Sequence, residues 1–468
     1  MLFNSLHYLF FLPATVILYY LLPHRYRWIL IFIASCYFYM VFVPSYILIL
    51  FAVILIDFFS AHAIHASDGK RRRVYLVLSI LANVLLLAFF KYFGFINENI
   101  ESIASATGMD FKPMNLEILL PIGLSFHTFQ SMSYTIEVYK GRQEPEKHIG
   151  YFANYVLFFP QMVAGPIERY TNLGTELRRP HVYSYDNFSQ GLRLILFGFF
   201  IKMAVADNLA PVVNTVYRDP ASFSSLQIAF GLVCFSFQIY ADFFGYSTIA
   251  LGSARLLGIR IMDNFRTPYL SRNVTEFWSR WHISLSTWFR DYLYIPLGGN
   301  RVKVPRWCLN IMIVFMVSGL WHGASWTFVV WGALHGLMLL AERFFQKFTG
   351  FRPREEWDIV SALLAIKTFA VCTVIWVFFR AETFDQAAGI LGALVSNWDI
   401  AGKELSWKLP VFFSALLIAA DIFTYNSRID MRLTTRRAPV RWAVYTVMLF
   451  LLLALSGTEK FTFIYFQF

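Results

Sequence analysis

The sequence predicts an all-α, polytopic membrane protein with about 11 to 12 transmembrane helices, on three observations. Of its 468 residues 57% are hydrophobic and only 15% charged, too little polar surface to cover a soluble globule of this length. Apolar runs near the ~20 residues that a bilayer requires recur from one end to the other. Lys and Arg gather in alternate loops between those runs, the bias that sets orientation.

In order, the runs predict spans near 6–22, 28–43, 46–64, 74–93 and 120–138, then 190–214, 226–248, 308–321, 326–345, 360–379, 409–425 and 439–456. Residues 149–165 are apolar but carry Pro160 and run into Gly165 and Pro166, the composition of a re-entrant segment. The 308–321 run is short for a crossing, so partial insertion is a second reading. The first run has no basic stretch before it and no small-residue cleavage pattern after it, and reads as an uncleaved span.

The formal charge of +11 follows from the loops and points away from nucleic acid as a partner. With the N-terminus outside, the inside loops take Lys70 to Arg73, nine basic residues from Arg255 to Arg306, and the clusters Arg343–Arg354 and Arg428–Arg441. The outside loops hold Lys112, Arg218, Arg380, Lys403, Lys408 and Lys460. Both termini and the 94–119 and 380–408 loops are therefore predicted outside, with 65–73 and 426–440 in the cytoplasm. Cys36, Cys234, Cys308 and Cys372 each stand alone in or beside an apolar run, which argues against disulfides and a zinc site. No repeat, low-complexity tract or long linker divides the chain, so residues 1–468 read as a single membrane domain.

The stretch from Phe277 to Trp326 organises the rest, because it sets His282 and His322 among tryptophans and arginines. An imidazole, with an unperturbed pKa of ~6.5, takes and returns a proton near neutral pH. Ionisable groups at membrane depth mark functional sites by default. Trp278, Trp281, Leu285, Trp288 and Tyr292 recur at helical spacing, predicting one amphipathic helix over 277–292 with Arg280, Ser284, Thr287 and Asp291 opposite. His282 lies at the edge of that aromatic face. His322 precedes Gly323, Ala324 and Ser325, small residues that let other groups approach it; a hydrogen-bonded packing histidine is the alternative. His127 and His335 read as packing or supporting residues. Asp57, Glu137, Asp207, Asp242 and Asp421 must each be paired or face a wet cavity. Asp242, near Gln238 and Tyr240, either shapes such a cavity or pairs with an arginine of the next loop. There is no phosphate-binding glycine loop, Ser-His-Asp spacing or metal-ligand cluster.

The runs FFPQMVAGPIERY, QIYADFFGYSTIALGSARLLGI, NFRTPYLSRNVTEFWSRWHISLSTWFRDYLYIPLGGN, SGLWHGASWTFVVWGALHG and FIYFQF resemble the membrane-bound O-acyltransferase (MBOAT) superfamily. The likeness is to its bacterial branch that O-acetylates alginate, related to the protein that D-alanylates teichoic acid. It implies a ring of tilted helices, with re-entrant and interfacial segments, around a thin centre where a cytoplasmic donor tunnel meets an outer funnel. It implies a catalytic core at about 120–345, with His322 catalytic and His282 its partner. The implied donor is acetyl-coenzyme A, with Arg280, Trp281, Trp278 and Arg290 as candidates to hold it and no metal or prosthetic group. The implied acceptor is an extracytoplasmic polysaccharide or an intermediate transferase subunit outside a bacterial inner membrane. Transfer of D-alanyl or another acyl group from a carrier protein is the enzymatic alternative. A glycan transporter with both histidines as a proton relay is the rival from another class.

Overall fold

The computed structural model describes residues 1–109, 116, 121–351, 356–425, 427–456 and 463–464. Lys112, Arg354, Lys460 and all of the FIYFQF run but Phe463 and Ile464 lie outside the described residues. Among those described, the regular elements are helical throughout. Contacts group them into two units, Met1–Phe188 with Ser253–Met262, and Ser189–Gly252 with Asp263–Phe468.

In the first unit the helices Leu6–Leu21, His24–Met40, Ile47–His65, Gly69–Phe90 and Leu124–Tyr139 stand at the five predicted runs. A helix the sequence reading assigned to loop, Phe93–Thr107, follows the fourth. Its Phe93, Ile96, Ile100 and Ile103 keep helical spacing, but the polar residues between them hide it from a search for continuous apolar runs. Gly108, at φ 74°, ends it in the left-handed conformation that glycine adopts without strain. Residues 149–165 form a nine-residue helix, Ile149–Leu157, followed by irregular chain. Nine residues rise ~13 Å, less than half the ~30 Å hydrocarbon core. The irregular chain is buried, and the Phe159 N–H within it donates to Ser35 Oγ at 3.1 Å. Among the described residues no cation pairs with buried Asp57; it accepts from Ser79 Oγ at 2.6 Å and Asn83 Nδ2 at 3.0 Å.

Two long helices, Tyr185–Arg218 and Ser225–Leu256, run beyond the predicted spans. A Cβ on Gly198 would stand 2.7 Å from the Gly245 carbonyl oxygen, and one on Gly252 2.7 Å from that of Gly191. These small residues let the two backbones touch. Where the first helix widens into a π turn, Phe200–Ala206, buried Lys202 places Nζ 2.7 Å from both Asp207 and Asp242. Asp242 thus has a lysine of the preceding helix as its ion-pair partner, and not an arginine of the next loop.

The predicted 308–321 run becomes the 19-residue helix Val304–His322, because Pro305 starts it early and carries polar Arg306 into its first turn. It packs on Trp326–Thr349, with Gly319 and Gly332 each set against the other helix's backbone. Ile359–Arg380, Lys408–Phe423 and Ala438–Leu455 correspond to the last three predicted spans, and Phe384–Ser396 is a further helix in the predicted outer loop. Among the described residues, eight helices are long and apolar enough to cross a membrane by length and composition, against the 11 to 12 predicted. Leu6–Leu21, His24–Met40, Leu124–Tyr139 and Lys408–Phe423 are 16 or 17 residues long, and the first of them stops ahead of Pro23.

Candidate active site

The predicted helix over 277–292 is broken in two, and the break makes the site. Asn273 caps Val274–Arg280 by accepting from the Glu276 N–H at 2.8 Å. The helix ends at Trp281, and Ile283–Phe289 then starts afresh. Between them His282 has φ 42°, a left-handed backbone that a residue with a Cβ seldom takes. Tertiary contacts hold the corner. Trp281 is fully buried, its ring 5.1 Å from both Phe265 and Trp376 and 5.5 Å from Phe277. Asn264 accepts the Ile283 N–H at 2.9 Å on its carbonyl and Ser284 Oγ at 2.6 Å on its side chain.

The corner points His282 at the last residue of Val304–His322. The imidazoles of His282 and His322 lie 6.2 Å apart at 53°, and both are buried. His282 packs edge-on to Phe243 at 4.7 Å, and His322 edge-on to Trp331 at 5.1 Å and Phe379 at 5.4 Å. Ser325 caps the next helix, Trp326–Thr349, through the Thr327 N–H, so Gly323 and Ala324 turn the chain directly behind His322. Burial pushes the His282 imidazole down to about 3. It is therefore neutral at physiological pH, able to hydrogen-bond but not to act as a counter-charge. A neutral imidazole beside a hydroxyl can serve as a general base.

The other predicted site residues divide. Trp278 and Trp281 join the ring cluster around the histidines. Arg280 turns to the loop before it, 3.0 Å from Glu276 and donating to the Arg266 carbonyl and Thr267 Oγ1, with its guanidinium over Tyr425 at 4.8 Å. Arg290 is mostly exposed and pairs with Asp291 at 2.8 Å. Sequence reasoning passed over Phe243, Trp331, Trp376 and Phe379, and it read His335 as a packing or supporting residue. One signal was present: Trp331 and His335 are four residues apart, hence on one helical face. Among the described residues, no three His, Cys, Asp or Glu side chains gather closely enough to hold a metal. Asp242, besides pairing with Lys202, accepts the Ile464 N–H at 2.6 Å.

The model of the MBOAT, membrane-bound O-acyltransferase, family matches residues 146–380, which hold both histidines and the rings around them. A probable alginate O-acetylase of Azotobacter vinelandii is 35% identical over 426 residues, covering 90% of this chain and 83% of that protein. The peptidoglycan O-acetyltransferase of Helicobacter pylori is 33% identical, over 88% of this chain and 83% of its own length. A teichoic acid D-alanyltransferase of Bacillus subtilis is 28% identical over 55% of this chain and 68% of its own. The chain belongs to the membrane-bound O-acyltransferase family.

Proposed function

We propose that this O-acyltransferase carries an acetyl group from a cytoplasmic thioester, acetyl-coenzyme A, across a bacterial inner membrane to the hydroxyls of an extracytoplasmic polysaccharide or of an intermediate transferase subunit. The observation that carries the reading is the buried pair His282 and His322, their rings 6.2 Å apart and inclined at 53°. His322 is the base. One of its ring nitrogens takes the hydroxyl proton as the oxygen bonds the thioester carbonyl carbon; the carbon–sulfur bond then breaks, and the proton passes to the departing thiolate. Positioned base catalysis of this kind supplies ~10²–10⁴ in rate. His282, neutral and held at a fixed corner, positions the acyl group. Trp278 and Trp281 wall the donor on the loop side, and Arg280 and exposed Arg290 belong to the basic 255–306 stretch that meets its phosphates.

The membrane sets the route. Moving one charge to the bilayer centre costs ~2.5–3.5 kcal/mol on the mildest scale, so the polyanionic end of coenzyme A stays in the cytoplasm and only the acyl end reaches His322. Likeness to a D-alanyltransferase supports a second reading in which a carrier protein presents the thioester. Family membership leaves the transporter reading without support.

Oriented vesicles test the proposal: labelled acetyl-coenzyme A or an acyl-loaded carrier goes on the cytoplasmic face and polysaccharide on the other. Acyl transfer only across the bilayer is expected. Transfer that needs donor and acceptor on one face overturns the route, and no transfer from either donor overturns the reaction. Single cysteines at Ser67 and Thr434 check orientation, since both positions should be shielded from an outside label.

A further inference from the structure

Among the described residues two that are not glycine have a left-handed backbone, Thr267 at φ 46° and His282 at φ 42°. Both belong to one small structure, in which the chain before Thr267 runs antiparallel to the chain around His282. The Arg266 N–H donates to the Arg280 carbonyl at 2.9 Å, ahead of His282, and the Ile283 N–H donates to the Asn264 carbonyl at 2.9 Å, just past it. Asn264 adds a third bond, its side-chain oxygen accepting from Ser284 Oγ at 2.6 Å, and both side chains are buried. At the far end the Arg280 guanidinium donates to the Arg266 carbonyl at 3.2 Å and to Thr267 Oγ1 at 3.3 Å. Thr267 then turns the chain into Pro268–Leu270, where the Tyr269 hydroxyl donates to the Ser236 carbonyl at 2.7 Å and ties the strap to the helix Ser225–Leu256.

A left-handed residue with a Cβ is disfavoured, and two of them in one structure persist only where their surroundings over-determine them. The contacts that do so here act differently. Trp281 works through its ring, packed against Phe265 and Trp376, so its loss is felt by the fold. Asn264 instead holds Ile283 and Ser284, the two residues that follow His282, one by its main chain and one by its side chain. Those two residues fix the backbone leaving His282 and hence the direction of its side chain. The main-chain bond survives any substitution at 264, whereas the side-chain bond does not. Without it the first turn of Ile283–Phe289 is free to rotate, and His282 to swing towards the right-handed backbone it prefers. Such a shift is minor for folding and large for chemistry, because a 1 Å misplacement of a reacting group can cost ~10²-fold in rate.

We propose that Asn264 is a positioning residue of the acyl-transfer reaction: by accepting the Ser284 hydroxyl at the end of the 264–267 strap it holds the left-handed corner that aims the His282 imidazole at His322. It touches no substrate and acts through His282 alone. The inference rests on the role given to His282 in the acyl-transfer reading above and extends it. Turnover therefore depends on this oxygen, and donor binding does not.

Steady-state acyl transfer by the purified full chain tests this, with Asn264→Ala and Asn264→Asp each made alone and together with His282→Ala. Asn264→Ala should lower kcat by about tenfold or more and leave the KM for the thioester within about twofold of wild type. Asn264→Asp keeps the shape and an acceptor oxygen for Ser284, and should recover kcat to within about threefold of wild type. In the His282→Ala protein, whose residual transfer is counted with labelled donor, Asn264→Ala should cost less than about twofold further, since its route to the reaction is gone. The same fold-loss in both backgrounds, a change confined to KM, or an Asn264→Asp no better than Asn264→Ala overturns the proposal. Should Asn264→Ala not fold, Ser284→Ala removes the donor to the same oxygen; it should lower kcat alone in the same way, and an unchanged kcat overturns the proposal. If His282→Ala turns over at the wild-type rate, the role given to His282 above falls and this inference with it, whereas additive losses in a crippled His282→Ala overturn this inference alone.

Discussion

The imidazole of His282 comes within 6.2 Å of His322 because its own backbone is left-handed, at φ 42°, between two short helices. A residue with a Cβ gives up ~1–2 kcal/mol in that conformation, and strain of this kind persists where the surroundings over-determine it. Here Trp281 and Asn264 do so. Glycine at 282 therefore relieves the backbone while deleting the ring. His282→Gly should unfold at a higher temperature than His282→Ala by the equivalent of ~1 kcal/mol, with transfer severely reduced in both. Equal melting midpoints would mean that the corner is unstrained.

His322→Ala should lose at least ~10²-fold in acyl transfer. Its size-exclusion profile and melting midpoint should stay close to wild type, because His322 ends its helix instead of bracing it from within. Transfer within a few-fold of wild type would move the base elsewhere.

Glu168 gives a pH signature. Burial pushes its carboxyl up to about 7, while the Met262 N–H at 2.6 Å and the Asn172 amide at 2.6 Å pull the other way. The folded state thus holds this proton more tightly than the unfolded chain, whose carboxyl titrates near the ordinary ~4.3. The resulting stability is fully present below that value and is lost as pH rises through about 7. Glu168→Gln cannot ionise. The melting midpoint of wild type relative to this variant should fall over that window, by ~1.4 kcal/mol for each pH unit, and level off above it. A difference that does not change with pH would show that Glu168 is already ionised in the fold.

The helices were largely legible because a bilayer imposes one simple demand, a continuous apolar run, and Ile47–His65 or Ile359–Arg380 meet it plainly. Phe93–Thr107 was not legible by that rule, since its apolar residues are spaced along one face. The two histidines stood out as ionisable groups in an aromatic setting, and the resemblance of their surrounding blocks assigned them roles. The break at His282 had no local signal: Trp278, Trp281, Leu285 and Trp288 keep helical spacing across it. The burial of Trp281 decides the matter, and its ring partners Phe265 and Trp376 come from distant segments. For the same reason sequence could name Asp242 as needing a partner but could not choose Lys202, forty residues earlier on another helix.

That lysine carries the last prediction. Lys202 Nζ stands 2.7 Å from an oxygen of Asp207 and 2.7 Å from one of Asp242, with its side chain 1% exposed. The second oxygen of Asp242 accepts the Ile464 N–H at 2.6 Å. Removing one partner of a buried ion pair costs ~3–5 kcal/mol, chiefly because the remaining charge is left without compensation. Lys202→Met strands two carboxylates at once and should be the most damaging change. Asp242→Asn retains an acceptor for Ile464 and leaves Lys202 its ion pair with Asp207, so it should be mild. Combining Lys202→Met with Asp207→Asn and Asp242→Asn removes every charge and should restore most of the stability lost by Lys202→Met alone, as neutral replacements of buried ion pairs commonly do. Melting midpoints of the three proteins in detergent give the order. If Lys202→Met proves as mild as Asp242→Asn, or if the triple variant is no better than the single one, electrostatic compensation is not what holds these two helices in register.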